Sequence, residues 1–287
     1  FTHLYLVEPD AKEAKRLEDN LKAEGGWRNV TVIKEALGSQ EGEATLNLTR
    51  YPGLSSLYEP DAKRVKVYFP SSTDFKKESR EAWEVAKRVR VPVITLDEAA
   101  LKYGFSDLSL LKLDTQGTEL DILRSGREKV IPSTLAVAVE GEFVPLYRGQ
   151  PLFSEVGVFL EKAGFRLMDM KRTFIRRQNA ASLVRFSKPE IVYCHALYMQ
   201  DIDALTAFNP RQKVQLLALG IAFWYFDMAI TLARDAEVMT YSALPKQVIL
   251  EKEIAAYADS VGRAYKKIRG AGRDYGAWAF QDKMWEL

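Results

Sequence analysis

Over its first two thirds the chain alternates short apolar runs with amphipathic stretches. Phe1 to Val7 is mostly apolar and stops at Glu8-Pro9-Asp10, which predicts a strand leaving a sheet. Ala11, Ala14, Leu17 and Leu21 recur at helical spacing, and Gly25-Gly26 supplies a helix end. Val30 to Lys34 reads as a second strand, closing at Glu35-Ala36-Leu37. After the turn Gly38 to Gly42, Ala44 to Thr49 alternates as a hairpin arm does. Residues 50 to 80 show no steady period and read as a long, lid-like loop. Val91 to Leu96 is strand-like, and Thr95 with Glu98 has capping-box spacing for a short helix ending near Gly104. The spacing then predicts a strand over Leu108 to Leu113, a helix over Thr118 to Arg124, and a strand over Leu135 to Val139. A helix follows over Leu152 to Ala163, then a strand pair over Phe165 to Met170 and Ile191 to Met199.

Strands alternating with helices predict an α/β domain with a mostly parallel sheet covered on both faces, over residues 1–200. From about residue 201 to 287 the pattern is helical only. Two long helical stretches, Gln212 to Arg234 and Lys246 to Arg269, with breaks at Asp227 and Tyr241 to Pro245, predict roughly two to four helices. In this extension Phe223 to Phe226 reads as a buried seam.

Composition narrows the function classes. Of 287 residues, 41 are basic and 39 acidic, so no whole-chain field of one sign favours nucleic acid or a membrane. The longest uncharged run, Val214 to Phe226, is too short to span a bilayer. A single cysteine, Cys194, fits a reducing, cytoplasmic setting. The chain opens at Phe1 inside a strand-like run, so further residues are expected upstream.

Ligands of open α/β sheets bind beyond the carboxyl ends of the strands, and several ends here finish in carboxylates: Glu8, Glu35, Asp114, and Glu140 with Glu142. Glu8 stands where nucleoside-binding folds place an acid for ribose hydroxyls, about 20 residues after a glycine loop. That loop is expected before residue 1. Gly270, Gly272 and Gly276 follow a basic helix rather than a strand and read as a tail. In Leu111 to Leu120 a strand ends in Asp114, Gly117 permits a tight turn and Glu119 opens a helix at its positive end. Asp114 as an ordinary helix cap is the plain alternative. His195 reads as a core or edge histidine, and Arg172, Arg176 and Arg177 as a solvated turn.

Lys112, Asp114, Gly117 and Glu119 resemble the hallmark run of the FkbM methyltransferases, with Gln116 where that family more often has glutamate. Glu8-Pro9, Ala36-Leu37 before Gly42, Ser55-Ser56-Leu57 and Thr95-Leu96-Asp97 resemble further family signposts in order. So do Glu140 to Phe143, Pro145-Leu146-Tyr147 with Gly149 to Phe153, and Ala196-Leu197-Tyr198. The resemblance implies a Rossmann-like class I methyltransferase with a seven-stranded-type sheet whose first strand is missing. It further implies S-adenosylmethionine as cofactor and O-methylation of a sugar-containing or other small metabolite. On this reading Glu8 serves the ribose, and Glu35 or Ala36 lies near adenine. Asp114 stands beside the methyl group as a cofactor-site and catalytic residue, and Glu140 and Glu142 hold or deprotonate the acceptor. Period-2 alternation puts Glu140 and Glu142 on one strand face. No metal is assigned, although Asp114, Glu140 and Glu142 have the hard oxygens a divalent cation takes. The competing readings are a catalytically inactive methyltransferase-like domain that binds a glycan or partner, and a nicotinamide oxidoreductase. The second lacks its Tyr-x-x-x-Lys pair at Tyr147. The extension is a surface for self-association or for shaping the acceptor site.

Overall fold

The computed structural model describes residues 3–24, 29–72, 79–178, 184, 186–241 and 247–270. It divides into two compact units, Phe1–Tyr198 and Met199–Leu287. The first begins with β1 (His3–Val7), α1 (Ala11–Glu24), β2 (Asn29–Ile33), β3 (Ala36–Leu37) and β4 (Gly42–Thr49). There follow α2 (Ala62–Tyr68), β5 (Val85–Ile94), α3 (Leu96–Tyr103), β6 (Leu110–Leu113), α4 (Glu119–Ser125) and α5 (Val130–Ser133). Then come β7 (Ala136–Glu142), α6 (Phe153–Lys162), β8 (Phe165–Ile175) and β9 (Glu190–Gln200), which runs across the division.

The class is mixed α/β, but the strands form three sheets rather than the expected single one. Their orders are β1-β2, β3-β5-β4 and β6-β7-β9-β8. β1 and β2 pair in parallel, as do β3 with β5 and β6 with β7, whereas β4 and β5 are antiparallel.

Every residue of β7 is buried, on both faces. The main core forms around it from Ile122 and Leu123 of α4, Val137 and Val139 of β7, Leu160 of α6 and Cys194 of β9. β6 runs beside β7 with Leu113 opposite Val139, so continuing that register by one residue sets Asp114 against Glu140. Register therefore builds the site.

Residues 50 to 80 are more ordered than the sequence suggests. A 3-10 turn spans Pro52–Leu54 and another spans Arg80–Trp83, with α2 between them. The Asp61 side chain caps α2 by accepting from the Lys63 and Arg64 amides. Val65, Tyr68 and Phe69, at three- and four-residue spacing, pack with Leu54 and Trp83 into a second core. Two apolar turns are too short for their period to stand out from a proline- and serine-rich background. Residues 73–78 lie outside the described residues.

The second unit contains a 3-10 turn Ile202–Ala207, then α7 (Pro210–Ala222), α8 (Phe226–Ala233), α9 (Ala236–Tyr241) and α10 (Gln247–Gly270). The stretch Gln212 to Arg234, expected to break at Asp227, is two helices with the break slightly earlier. They are separated at Phe223 to Tyr225, where Trp224 adopts φ +66°. Asp227 does not break the pattern. It sits in the first turn of α8, where the helix dipole favours its charge. The four aromatics Phe223 to Phe226 are half-buried at this turn rather than forming a buried seam. Lys213 is buried and its Nζ reaches Asp235 at 2.9 Å and Glu237 at 2.7 Å, joining α7 to the start of α9. Gly272 and Gly276 of the tail lie outside the described residues. No helix among the described residues is long and apolar enough to cross a membrane.

Gly141 lies between Glu140 and Glu142 because α6 begins directly above it. An added Cβ would stand 2.7 Å from Phe153 Cδ2 and 3.5 Å from Phe153 Cα. We expect Gly141→Ala to lower stability by about 1–3 kcal/mol as the helix is pushed away. The urea unfolding midpoint measures this, and an unchanged midpoint would refute the close packing.

Candidate functional site

The chain leaves β6 through Asp114-Thr115-Gln116-Gly117-Thr118 before α4 begins. Gln116 adopts φ +60° and Gly117 φ +102°, so two successive residues take the left-handed side of conformational space. For glutamine this costs about 1–3 kcal/mol, and the surroundings must hold it there. Glu119 does so. Buried at the start of α4, its carboxylate accepts from the Thr115 amide at 2.7 Å, the Thr115 hydroxyl at 3.1 Å and the Gly117 amide at 2.9 Å. Ser56 adds a hydroxyl donated to the Gln116 carbonyl at 2.8 Å.

This turn aims the Gln116 side chain at the strand ends. Its Nε2 donates to Asp114 Oδ1 at 2.8 Å and to Glu140 Oε2 at 2.5 Å. The Tyr147 hydroxyl lies 3.0 Å from Gln116 Oε1 and 3.0 Å from the Leu54 carbonyl, which fixes which way the amide points. Gln150 accepts from the Tyr147 amide through Oε1. Its Nε2 faces Glu142 without good hydrogen-bond geometry, so it offsets only part of that carboxyl's burial.

Asp114 is exposed, whereas Glu119, Glu140 and Glu142 are each less than 5% accessible. Among the described residues none of the four meets a lysine or arginine; the one ion-pair contact is His195 Nε2 to Glu140 Oε1 at 4.0 Å. Burial without a cation penalises the charged form. It pushes Glu119 up to about 7 and Glu142 up to about 8. Glu140 is driven well above the usual carboxyl range, by burial first and then by the charges of Asp114 and Glu142. A carboxyl that titrates near neutrality can take a proton from a bound hydroxyl, which an ordinary glutamate does poorly.

A cavity of about 410 Å³ opens on this cluster, with Gln116, Glu140 and Glu142 on one side and Phe69, Trp83 and Tyr193 among its aromatic walls. Asp114, Glu140 and His195 also present ligand atoms within 4.8 Å of one another, an oxygen–nitrogen set that suits a divalent cation.

The FkbM methyltransferase domain matches residues 2–167, a span that contains β1 through α6 and every carboxylate of this cluster. The chain belongs to the FkbM methyltransferase family. No curated protein and no solved structure matches it.

Within this FkbM domain the structure brings together Asp114, Glu140 and Glu142, as alternation and strand-end position anticipate. Asp114 does not cap a helix. Thr118 stands at that position, and the Asp114 carboxylate receives Gln116 instead. Glu8 and Glu35 have no hydrogen bond to the cluster. Glu8, half-buried, accepts from the Asp10 amide through Oε1 at 2.8 Å, and its Oε2 has no partner among the described residues. Glu35 is already engaged by Lys102 and Tyr103, which hold its carboxyl below the usual range, while Ala36 is buried in β3. Arg177 is committed to Glu190. Three participants escape sequence reasoning. His195 alternates with apolar residues along β9 and gives no local signal, and Tyr147 and Gln150 sit in a turn whose side-chain direction depends on the fold.

Two predictions follow from the cluster. Carboxyls raised in the folded state give up their protons near pH 4.5 in the unfolded chain, so the native form holds extra protons above that value. Stability from this source is full at low pH and is lost as pH rises through 7 to 8. The urea midpoint should fall between about pH 5.5 and about pH 8.5, and less steeply in Glu142→Gln. A midpoint that rises over this range would contradict the assignment. Separately, Gln116→Glu replaces the bridging donor with another carboxylate and should destabilise by about 1–3 kcal/mol at neutral pH. The loss should shrink at pH 5, where the new acid can protonate and donate. Equal loss at both values would show that the bridge is not what matters.

Proposed function

We propose that the chain is an S-adenosylmethionine-dependent O-methyltransferase acting on a hydroxyl of a small metabolite held in the cavity beside Glu140 and Glu142. The observation that carries this reading is the Gln116-bridged pair of Asp114 and Glu140. It lies towards the carboxyl ends of adjacent parallel strands, inside the FkbM-matched region, with Gln116 and Glu140 lining a cavity.

When bound, the cofactor supplies an activated methyl group on a sulfonium. The remaining demand on the protein is to align an acceptor oxygen and receive its proton. Asp114, exposed at the mouth of the cluster, orients the acceptor hydroxyl. The proton passes to the buried carboxyls, with Glu142 titrating closest to neutral among the cavity-lining acids. Glu8 suits the cofactor's ribose, because its free Oε2 at the end of β1 is an acceptor without a donor. Glu35 fits less well, since Lys102 and Tyr103 already occupy its carboxylate. Ala36 offers only an apolar contact.

The test is calorimetric titration of the full-length protein with S-adenosylhomocysteine. Micromolar binding, weakened about ten-fold by Glu8→Ala, is the expected result. Given an acceptor, Asp114→Asn should lower kcat by about 10²–10⁴. Absence of binding by the full-length protein would overturn the reading and favour a domain that binds a glycan or partner without methyl transfer.

A further inference from the structure

The cavity's walls carry information that methyl transfer does not use. Trp83 closes the 3-10 turn Arg80–Trp83 and lines the cavity, with its ring 5.0 Å from Phe69 and 5.5 Å from Tyr147. It is 5% exposed, and its indole N–H is buried with no hydrogen-bond partner among the described residues. The same cavity is lined by Glu140 and Glu142, on one face of β7, and among the described residues neither meets a lysine or arginine. No lysine or arginine is among the described lining residues. The Arg177 guanidinium lies over the Tyr68 ring and is committed to Glu190.

Among the described residues the lining joins aromatic faces to paired carboxylates and holds no lysine or arginine, a combination that selects by charge. An anionic ligand would meet like charge in a poorly solvated space. A neutral one gains neither charge-assisted hydrogen bonds nor attraction to the aromatic faces, whereas an ammonium gains both.

We propose that the cavity accepts a hydroxylated ring bearing a protonated amine. The ammonium lies against Glu140 and Glu142, and the ring lies along Trp83. The proposal depends on the methyl-transfer reading only in identifying this ligand as the acceptor.

Three probes that share one ring separate the charge states: 2-aminocyclohexanol, cyclohexane-1,2-diol and 2-hydroxycyclohexanecarboxylate. The indole N–H signal of Trp83, identified by its loss in Trp83→Phe, reports occupancy by nitrogen–proton correlation spectroscopy. We expect the aminoalcohol to move this signal with an affinity about ten-fold or more above the diol, and the carboxylate to bind more weakly than either. In Glu142→Gln the diol should still move the signal, showing an intact cavity, and the preference for the amine should disappear. The proposal is overturned if the diol binds as tightly as the aminoalcohol, if the carboxylate binds best, or if no probe moves the signal. It is equally overturned if magnesium alone occupies the carboxylates and makes the diol the preferred ring, which would make Asp114, Glu140 and His195 metal ligands instead. Failure of S-adenosylhomocysteine to bind, with the amine preference intact, would remove methyl transfer and leave the ring-amine site standing.

Discussion

The side-chain amide of Gln116, donating at once to Asp114 and Glu140, is the interaction on which the rest of the site depends. Two carboxylates at the ends of neighbouring strands repel one another, and among the described residues no lysine or arginine separates them. A donor with two hydrogens on one nitrogen can. To place it, the backbone must enter the left-handed region at Gln116, and nearby groups serve that requirement. Gly117 continues the turn, Glu119 clamps two amides, Ser56 holds the carbonyl and Tyr147 fixes the amide's orientation. Removing the bridge would expose Glu140 to Asp114 with nothing between them.

Glutamine at this position is therefore a chemical choice. A glutamate there would add a carboxylate to a group of four that already holds protons near neutral pH. With glutamine, a donor stands between Asp114 and Glu140 and the strand ends remain close. The same shortage of cations that raises Glu119, Glu140 and Glu142 makes them competent proton acceptors, so stability and chemistry draw on one feature.

Much of this was legible in the sequence because it rests on short-range pattern. The acid after β6, the glycine that follows and Glu119 fall within six residues, and the alternation that puts Glu140 and Glu142 on one face belongs to a single strand. The Thr95 cap of α3 was equally local. What escaped depends on long-range packing. His195 approaches Glu140 only because β9 lies beside β7, and Tyr147 meets Gln116 across 31 positions of sequence. α2 was missed because its two turns show too few apolar positions for a period to emerge. The break after α7 was assigned to Asp227, a residue that instead favours the start of α8. Glu35 looked available as a strand-end acid and is occupied by α3, a partnership no spacing announces.

The central claim is that these buried carboxyls hold protons where ordinary glutamates do not. Carbon-13 labelling of glutamate side-chain carboxyls, with their shifts followed across the pH range, tests this most directly. Glu119 and Glu142, assigned through their glutamine variants, should titrate at about 7 and about 8, well separated from the exposed glutamates. If both titrate with the bulk near the ordinary value of 4.5, the cluster is solvated or neutralised by a cation, and the account of the site fails.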